Sequence, residues 1–175
     1  MTKDWNSPYR IGKRAKEWKK FKELFHKDVI ILNINPPVHL KDDEGKTPLD
    51  KWPYWEDSKG KKMLNPPLAL RSKLTAVSKP YFYGWPGSVG VGVWKPGDKK
   101  KGGPSWVCDV KGMSDAVLKE IAEHAQEYCA GDKVIEIKFN NFLDPKAFTP
   151  RHPRFSRFRP DKTEDMCTWE SWKKS

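Results

Sequence analysis

The sequence predicts an α+β fold in a single domain: a mixed β-sheet with two main packed helices and a basic, extended C-terminal arm. Three observations carry that prediction. Runs of alternating residues lie at 88–94 and 105–110, with short β-branched runs at 28–34 and 134–139, which is how half-buried and fully buried strands read. Apolar residues at spacings of three and four recur over 12–27 and 114–130, the period of a helix with one buried face. Beyond residue 145 the periodicity stops, and prolines and arginines take over. A chain of 175 residues can bury one substantial core but not two. We therefore divide it into an α+β core domain at 1–145, opening on a basic N-terminal helix, and a Pro/Arg-rich arm at 146–175.

In the first segment Ala15, Trp18, Phe21, Leu24 and Phe25 make an apolar stripe, while Lys13, Lys16, Lys20 and Lys27 share another face. That pattern predicts a docked helix with a cationic surface. Asp28 to Ile34 is nearly unbroken apolar sequence, as in a strand covered on both faces, and Pro36-Pro37 ends it. Residues 38–64 show no sustained period and read as a long structured loop. Within it Trp52, Tyr54 and Trp55 either plug the core or offer rings to stack bases or to bind a host or partner protein. Pro66-Pro67 followed by Leu70, Leu74 and Val77 predicts a short helix.

Ser88–Trp94 and Ser105–Val110 read as two strands joined by a basic hairpin loop, Lys95 to Pro104. Ser114 is a good N-cap, with Asp115 beside the positive end of the helix dipole. Val117, Leu118, Ile121, Ala125, Tyr128 and Cys129 then fall on one helical face, and Gly131 stands where a left-handed C-cap is wanted. Val134–Phe139 reads as a further strand. The stretch Arg151-His152-Pro153-Arg154-Phe155-Ser156-Arg157-Phe158-Arg159-Pro160 is bounded and interrupted by proline, so it is expected to be extended and to present its arginines along an arm.

A hydrophobic fraction of 37% is modest, but 9 Trp, 8 Phe and 5 Tyr supply large anchors, so the chain reads as ordered. The formal charge of +11 points to a polyanionic partner, nucleic acid first and an anionic membrane surface second. Three widely spaced cysteines with no Cys-x-x-Cys pair write neither a disulfide framework nor a zinc ribbon, which predicts a reducing compartment. The N-terminal residues hold no apolar signal core and no run reaches the length of a membrane span. The expectation is an intracellular protein, cytoplasmic or, in a nucleated cell, nuclear, of a small basic type compatible with a phage.

The primary functional expectation is largely sequence-tolerant nucleic-acid binding, DNA ahead of RNA. Phosphate contacts are expected from Lys13, Lys16 and Lys20, from Lys99, Lys100 and Lys101 in the hairpin, and from Arg151, Arg154, Arg157 and Arg159, with Trp85 as a stacking ring and the cations gathered on one face. A second expectation is catalytic. Asp109 and Lys111 lie two apart on a predicted strand and so face the same way, while Asp98 approaches from the hairpin. Two nearby carboxylates could hold a divalent ion that polarises a phosphodiester, with the lysine orienting the nucleophile.

These residues resemble, loosely, the PD-(D/E)xK nuclease superfamily, whose core runs helix, three strands, helix, strand, with an acid-x-Lys on the third strand. The resemblance covers about residues 11–139. It implies Mg2+ held by Asp98 and Asp109, activation by Lys111, and an extra acid from the first helix, Glu17 or Glu23. The sequence departs from the pattern in having Gly97, not proline, directly before Asp98, and in the long insertion between the first two strands. Apart from that Mg2+ no cofactor is implied.

Overall fold

The computed structural model describes residues 24–41, 47–144 and 147–173, and the backbone of 2–3 and 18–19. Five strands organise it: β1 Phe25–Asn35, β2 Ser88–Val93, β3 Ser105–Val110, β4 Val134–Phe139 and β5 Arg154–Phe158. They lie in one sheet in the order β5-β4-β1-β2-β3, and every ladder between neighbours is antiparallel. Parallel pairing enters through single bridges, Lys111 to Arg154 and Trp94 to Thr168. The first of these brings the two edges of the sheet together, so the sheet curls and meets itself.

The inner face follows from the pleat. Val89, Val91 and Val93 alternate inward from β2, where they meet Val29 and Ile31 of β1, Cys108 and Val110 of β3, and Ile135, Ile137 and Phe139 of β4. Each such aliphatic side chain contributes about 1.5–3 kcal/mol on burial. The helix α1, Asp115–Glu123, follows β3 and precedes β4; Ser114 Oγ accepts from the Val117 N–H at 3.4 Å, as its N-cap position predicts. Ile121 of α1 and Tyr128 of the next turn, Ala125–Tyr128, enter the same core. Five strands in this order, closed by contact of β3 with β5 and carrying a helix between β3 and β4, make the small Greek-key barrel known as the OB-fold.

A smaller apolar cluster lies on the other side of β1. There Ile30, Val134 and Cys167 are buried, with Leu32 and Trp94 against them. The residues after β5 form this cover: the Trp94 N–H donates to Cys167 O at 2.8 Å and the Trp169 N–H to Trp94 O at 2.8 Å. Trp172, 1% exposed, then sinks beside Phe139 and Phe142 and donates its indole N–H to Phe148 O at 3.1 Å.

The α+β fold class stands, and several of its parts are corrected. Residues 12–27, expected as a helix, lie mostly outside the described residues; the described pieces, Trp18–Lys19 and Phe25–Lys27, are strand. The loop expected at 38–64 contains strands Tyr54–Glu56 and Lys62–Leu64, which join Thr75–Ala76 in a separate three-stranded sheet between β1 and β2. The arm is no free arm, because its Arg154–Phe158 segment is the fifth barrel strand. All three cysteines are free thiols, and no described helix is long and apolar enough to cross a membrane.

Candidate nucleic-acid interface

Because the valines of β2 point inward, Gly90 and Gly92 point outward. A Cβ on Gly92 would lie 2.5 Å from the Ser105 carbonyl oxygen, and one on Gly90 would collide with the Asn33 side-chain amide. The missing side chain at Gly90 lets Asn33 lie flat across the sheet. From there Asn33 Nδ2 donates to Asn35 Oδ1 at 2.6 Å, which leaves Asn35 Nδ2 to donate to Ser88 Oγ at 3.0 Å and to Asp109 Oδ1 at 3.1 Å. The indole N–H of Trp106 reaches the same Asp109 oxygen at 3.4 Å. Trp106 is 57% exposed, a large ring left in solvent on the outer face of β3.

Along the same face β3 runs out into Lys111, and the Phe155 N–H donates to Lys111 O at 3.1 Å where the barrel closes. Gly112 takes φ 76°, a left-handed conformation that favours glycine, and the stem of Arg154 packs over it. A hollow of about 450 Å³ lies here, lined by Asp109, Lys111, Gly112, His152, Pro153 and Arg154. A second of about 370 Å³ shares His152 and Arg154 and adds Lys138 and Asn140. Lys111, Lys138, Arg151 and Arg154 form no ion pair among the described residues. The closure is thus a cationic trough with an aromatic platform at one end.

The other cations expected at a binding face are distributed differently. Lys99, Lys100 and Lys101 stand exposed on the short helical turn Asp98–Lys101 at the β2–β3 hairpin, with Lys99 3.5 Å from Asp165. That turn is at the end of β3 away from Lys111, whose distance from Ser105, the first strand residue, is six residues or roughly 20 Å. Arg157 is paired with Glu136 at 3.0 Å. Arg159 is sequestered among Asp28 at 2.9 Å, Asp161 at 2.8 Å and Glu136 at 3.3 Å, with only 14% of its side chain exposed. Arg157 and Arg159 therefore hold the barrel together, while Arg151 and Arg154 face outward. Lys13, Lys16, Lys20, Glu17 and Glu23 lie outside the described residues.

Trp85 belongs to the insert between β1 and β2, stacked on Tyr83 at 4.7 Å, with Lys79 Nζ over its ring 5.8 Å from the centroid. Trp52 and Trp55 are structural staples of the same insert: their indole N–H groups donate to Val77 O at 2.9 Å and Trp52 O at 2.7 Å, and Trp55 is 5% exposed. Tyr54 packs edge-on against Trp52 and Tyr83.

The expected carboxylate pair is not assembled. Asp98 is 1% exposed and accepts the N–H groups of Lys95 at 2.8 Å and Ser105 at 3.0 Å. Those backbone donors, the Lys95 N–H first, hold its carboxyl below the usual range. It is the cap of the hairpin turn, anchored about 13 Å along β3 from Asp109. Lys111 does share a face with Asp109, but among the described residues no three His, Cys, Asp or Glu side chains gather as a metal cage would need.

Sequence reasoning missed Trp106, Asn33, Asn35, Lys138 and His152. One signal was present: the Val-Gly-Val-Gly-Val run makes the outward positions of β2 glycine, which marks a strand that something else approaches closely, here the side chains of Asn33 and Leu32.

No protein-family model matches the chain, and no curated protein does either. Among solved structures the chain is similar to the ligase domain of LigD from M. tuberculosis, at 18% sequence identity and a TM-score of 0.44. The superposition covers 95% of this chain and 45% of that one, so the chain spans less than half of that domain's length.

Proposed function

We propose that this protein binds nucleic acid, DNA in an unpaired stretch, along the outer face of β2 and β3, with phosphates held in the trough at the barrel closure. The observation that carries the reading is the exposed Trp106 ring standing on the same face as Lys111 and Arg154, two cations with no ion pair among the described residues. The second and third strands are where an OB-fold takes up oligonucleotides. Stacking on an aromatic ring and phosphate neutralisation by a basic groove are the two contributions that single-strand binding needs. The net charge of +11 raises the local concentration of such a ligand.

The test is fluorescence anisotropy with a labelled single strand of roughly 12 nucleotides, within the span of one OB-fold. Affinity should fall steeply with added salt, because each neutralised phosphate releases counterions. Trp106→Ala should weaken binding about tenfold, the lower part of the range for loss of one base–aromatic stack. An affinity indifferent to salt and to Trp106→Ala would overturn the reading.

A further inference from the structure

Asp109 is the anomaly of the proposed face. A carboxylate on a surface that tracks phosphates repels its own ligand, and the ordinary remedy, an ion pair with a neighbouring lysine, is absent: Asp109 forms none among the described residues although Lys111 is two residues along the same strand face. It is held by neutral donors instead. Asn35 Nδ2 and the Trp106 indole N–H both converge on Oδ1, and Asn35 is itself oriented by Asn33 lying over Gly90. These contacts fix the carboxylate beside the exposed ring, with Oδ2 left to accept from outside.

Resting on the nucleic-acid reading above, we infer that Trp106 and Asp109 form a base seat in which a base stacked on the indole is read by Asp109 Oδ2 through an exocyclic amine. The seat favours cytosine, adenine or guanine, each of which offers an exocyclic amine, over thymine or uracil, which have none and whose single ring N3–H is flanked by two carbonyl oxygens that repel the carboxylate. Single strands expose their Watson–Crick edges to such contacts, because no partner strand occupies them. Lys111 and Arg154, next along the face, take the flanking phosphates. Binding is therefore driven by charge along most of its length, with one discriminating position.

Oligodeoxycytidine and oligodeoxyuridine of equal length make the cleanest comparison. Their bases differ on the Watson–Crick edge and carry no 5-methyl group, and every register places the same base in the seat. Wild-type protein should bind the cytidine oligomer roughly tenfold tighter, the factor expected of one hydrogen bond to a charged acceptor set against its loss. Asp109→Asn keeps an acceptor for Asn35 and Trp106 but adds a donor that can meet a uracil carbonyl, so the preference should vanish or reverse while both oligomers still bind. Equal wild-type affinities, or a preference that survives Asp109→Asn, would overturn the base seat while leaving the general binding intact. If neither oligomer binds at all, the nucleic-acid reading fails and the seat fails with it.

Discussion

Lys111 and Arg154 are bridged across the one seam where the barrel's edges run parallel. The chain leaves β3 at the first and enters β5 at the second, so barrel closure and the juxtaposition of two outward cations are the same event. A site built this way is as rigid as the seam, since the Phe155 N–H is bonded to Lys111 O at 3.1 Å. Charge reversal there is the sharpest test of where phosphates go. Lys111→Glu with Arg154→Glu should raise Kd for a single strand more than tenfold. The neutral pair of alanines should flatten the slope of log affinity on log salt by about 0.7 per cation removed. Replacing Lys99, Lys100 and Lys101 together by alanine should raise Kd less than the charge reversal does, because that turn stands roughly 20 Å along β3 from Lys111. Titrations by anisotropy over a salt series check both.

Gly90 and Gly92 should respond differently to the same substitution. A Cβ at Gly92 meets backbone, the Ser105 carbonyl at 2.5 Å, so the β2–β3 ladder itself has to give. Gly92→Ala is expected to destabilise by about 1–3 kcal/mol, the usual cost of overpacking. At Gly90 the obstacle is the end of the Asn33 side chain, which can swing away. Gly90→Ala should therefore keep most of the stability yet release Asn35 and Asp109 from their fixed orientation. Urea unfolding and the cytidine-to-uridine affinity ratio separate the two outcomes.

Much of this architecture was legible in the sequence where side-chain period and local chemistry coincide. β2, β4 and α1 follow from Val-Gly alternation, from the Val134–Phe139 run and from the Ser114 cap. The closure was not legible, since it joins Lys111 to Arg154 through backbone groups that every residue carries. β5 was hidden by a register shift between Phe155 and Arg157: it sets Phe155 and Phe158 against the same core three residues apart, so a strand reads as non-periodic. Phe25 misled in the opposite sense. Its spacing from Phe21 suggested a helical stripe, whereas it lies in β1 and stacks on Phe139 across the sheet at 5.5 Å. The three strands of the insert are too short to show any period. Asp109 and Lys111 do share a face as the strand period predicts, but the sequence could not show that Asp98 would be consumed as a turn cap.

Acid should weaken the barrel at the β1–β4–β5 junction. Burial pulls the Glu136 carboxyl up, but hydrogen bonds from His26, Ser156 and Arg157 outweigh it and take it down to about 2. The hydrogen bond from Arg159 likewise takes Asp161 to about 2. Carboxyls depressed in the folded state add stability that is fully present above their unfolded values, near 4.5 for Glu136 and 3.8 for Asp161, and that is lost as pH falls through the folded ones. The melting temperature of the wild type should therefore drop between about pH 4.5 and pH 2. Glu136→Gln should start lower at neutral pH and decline less over that interval, which thermal unfolding followed by circular dichroism would show.

Two tryptophans divide stability from binding. Trp172 is 1% exposed, packs on Phe139 and Phe142, and spends its indole N–H on Phe148 O. Trp172→Ala would leave a cavity beneath β4 and strand that carbonyl, a loss of about 4 kcal/mol. Trp106 is 57% exposed and contributes one long hydrogen bond to Asp109. Trp106→Ala should move stability by less than about 0.5 kcal/mol, as surface changes do, while removing the ring on which a base would stack. Denaturant midpoints and oligonucleotide affinities measured on both variants should show opposite patterns: Trp172→Ala lowers the midpoint and, wherever the protein remains folded, leaves Kd near wild type, whereas Trp106→Ala holds the midpoint and raises Kd. A Trp106→Ala variant as unstable as Trp172→Ala would mean that the indole is a structural strut of β3, and the outer face of the barrel would lose its claim to a ligand.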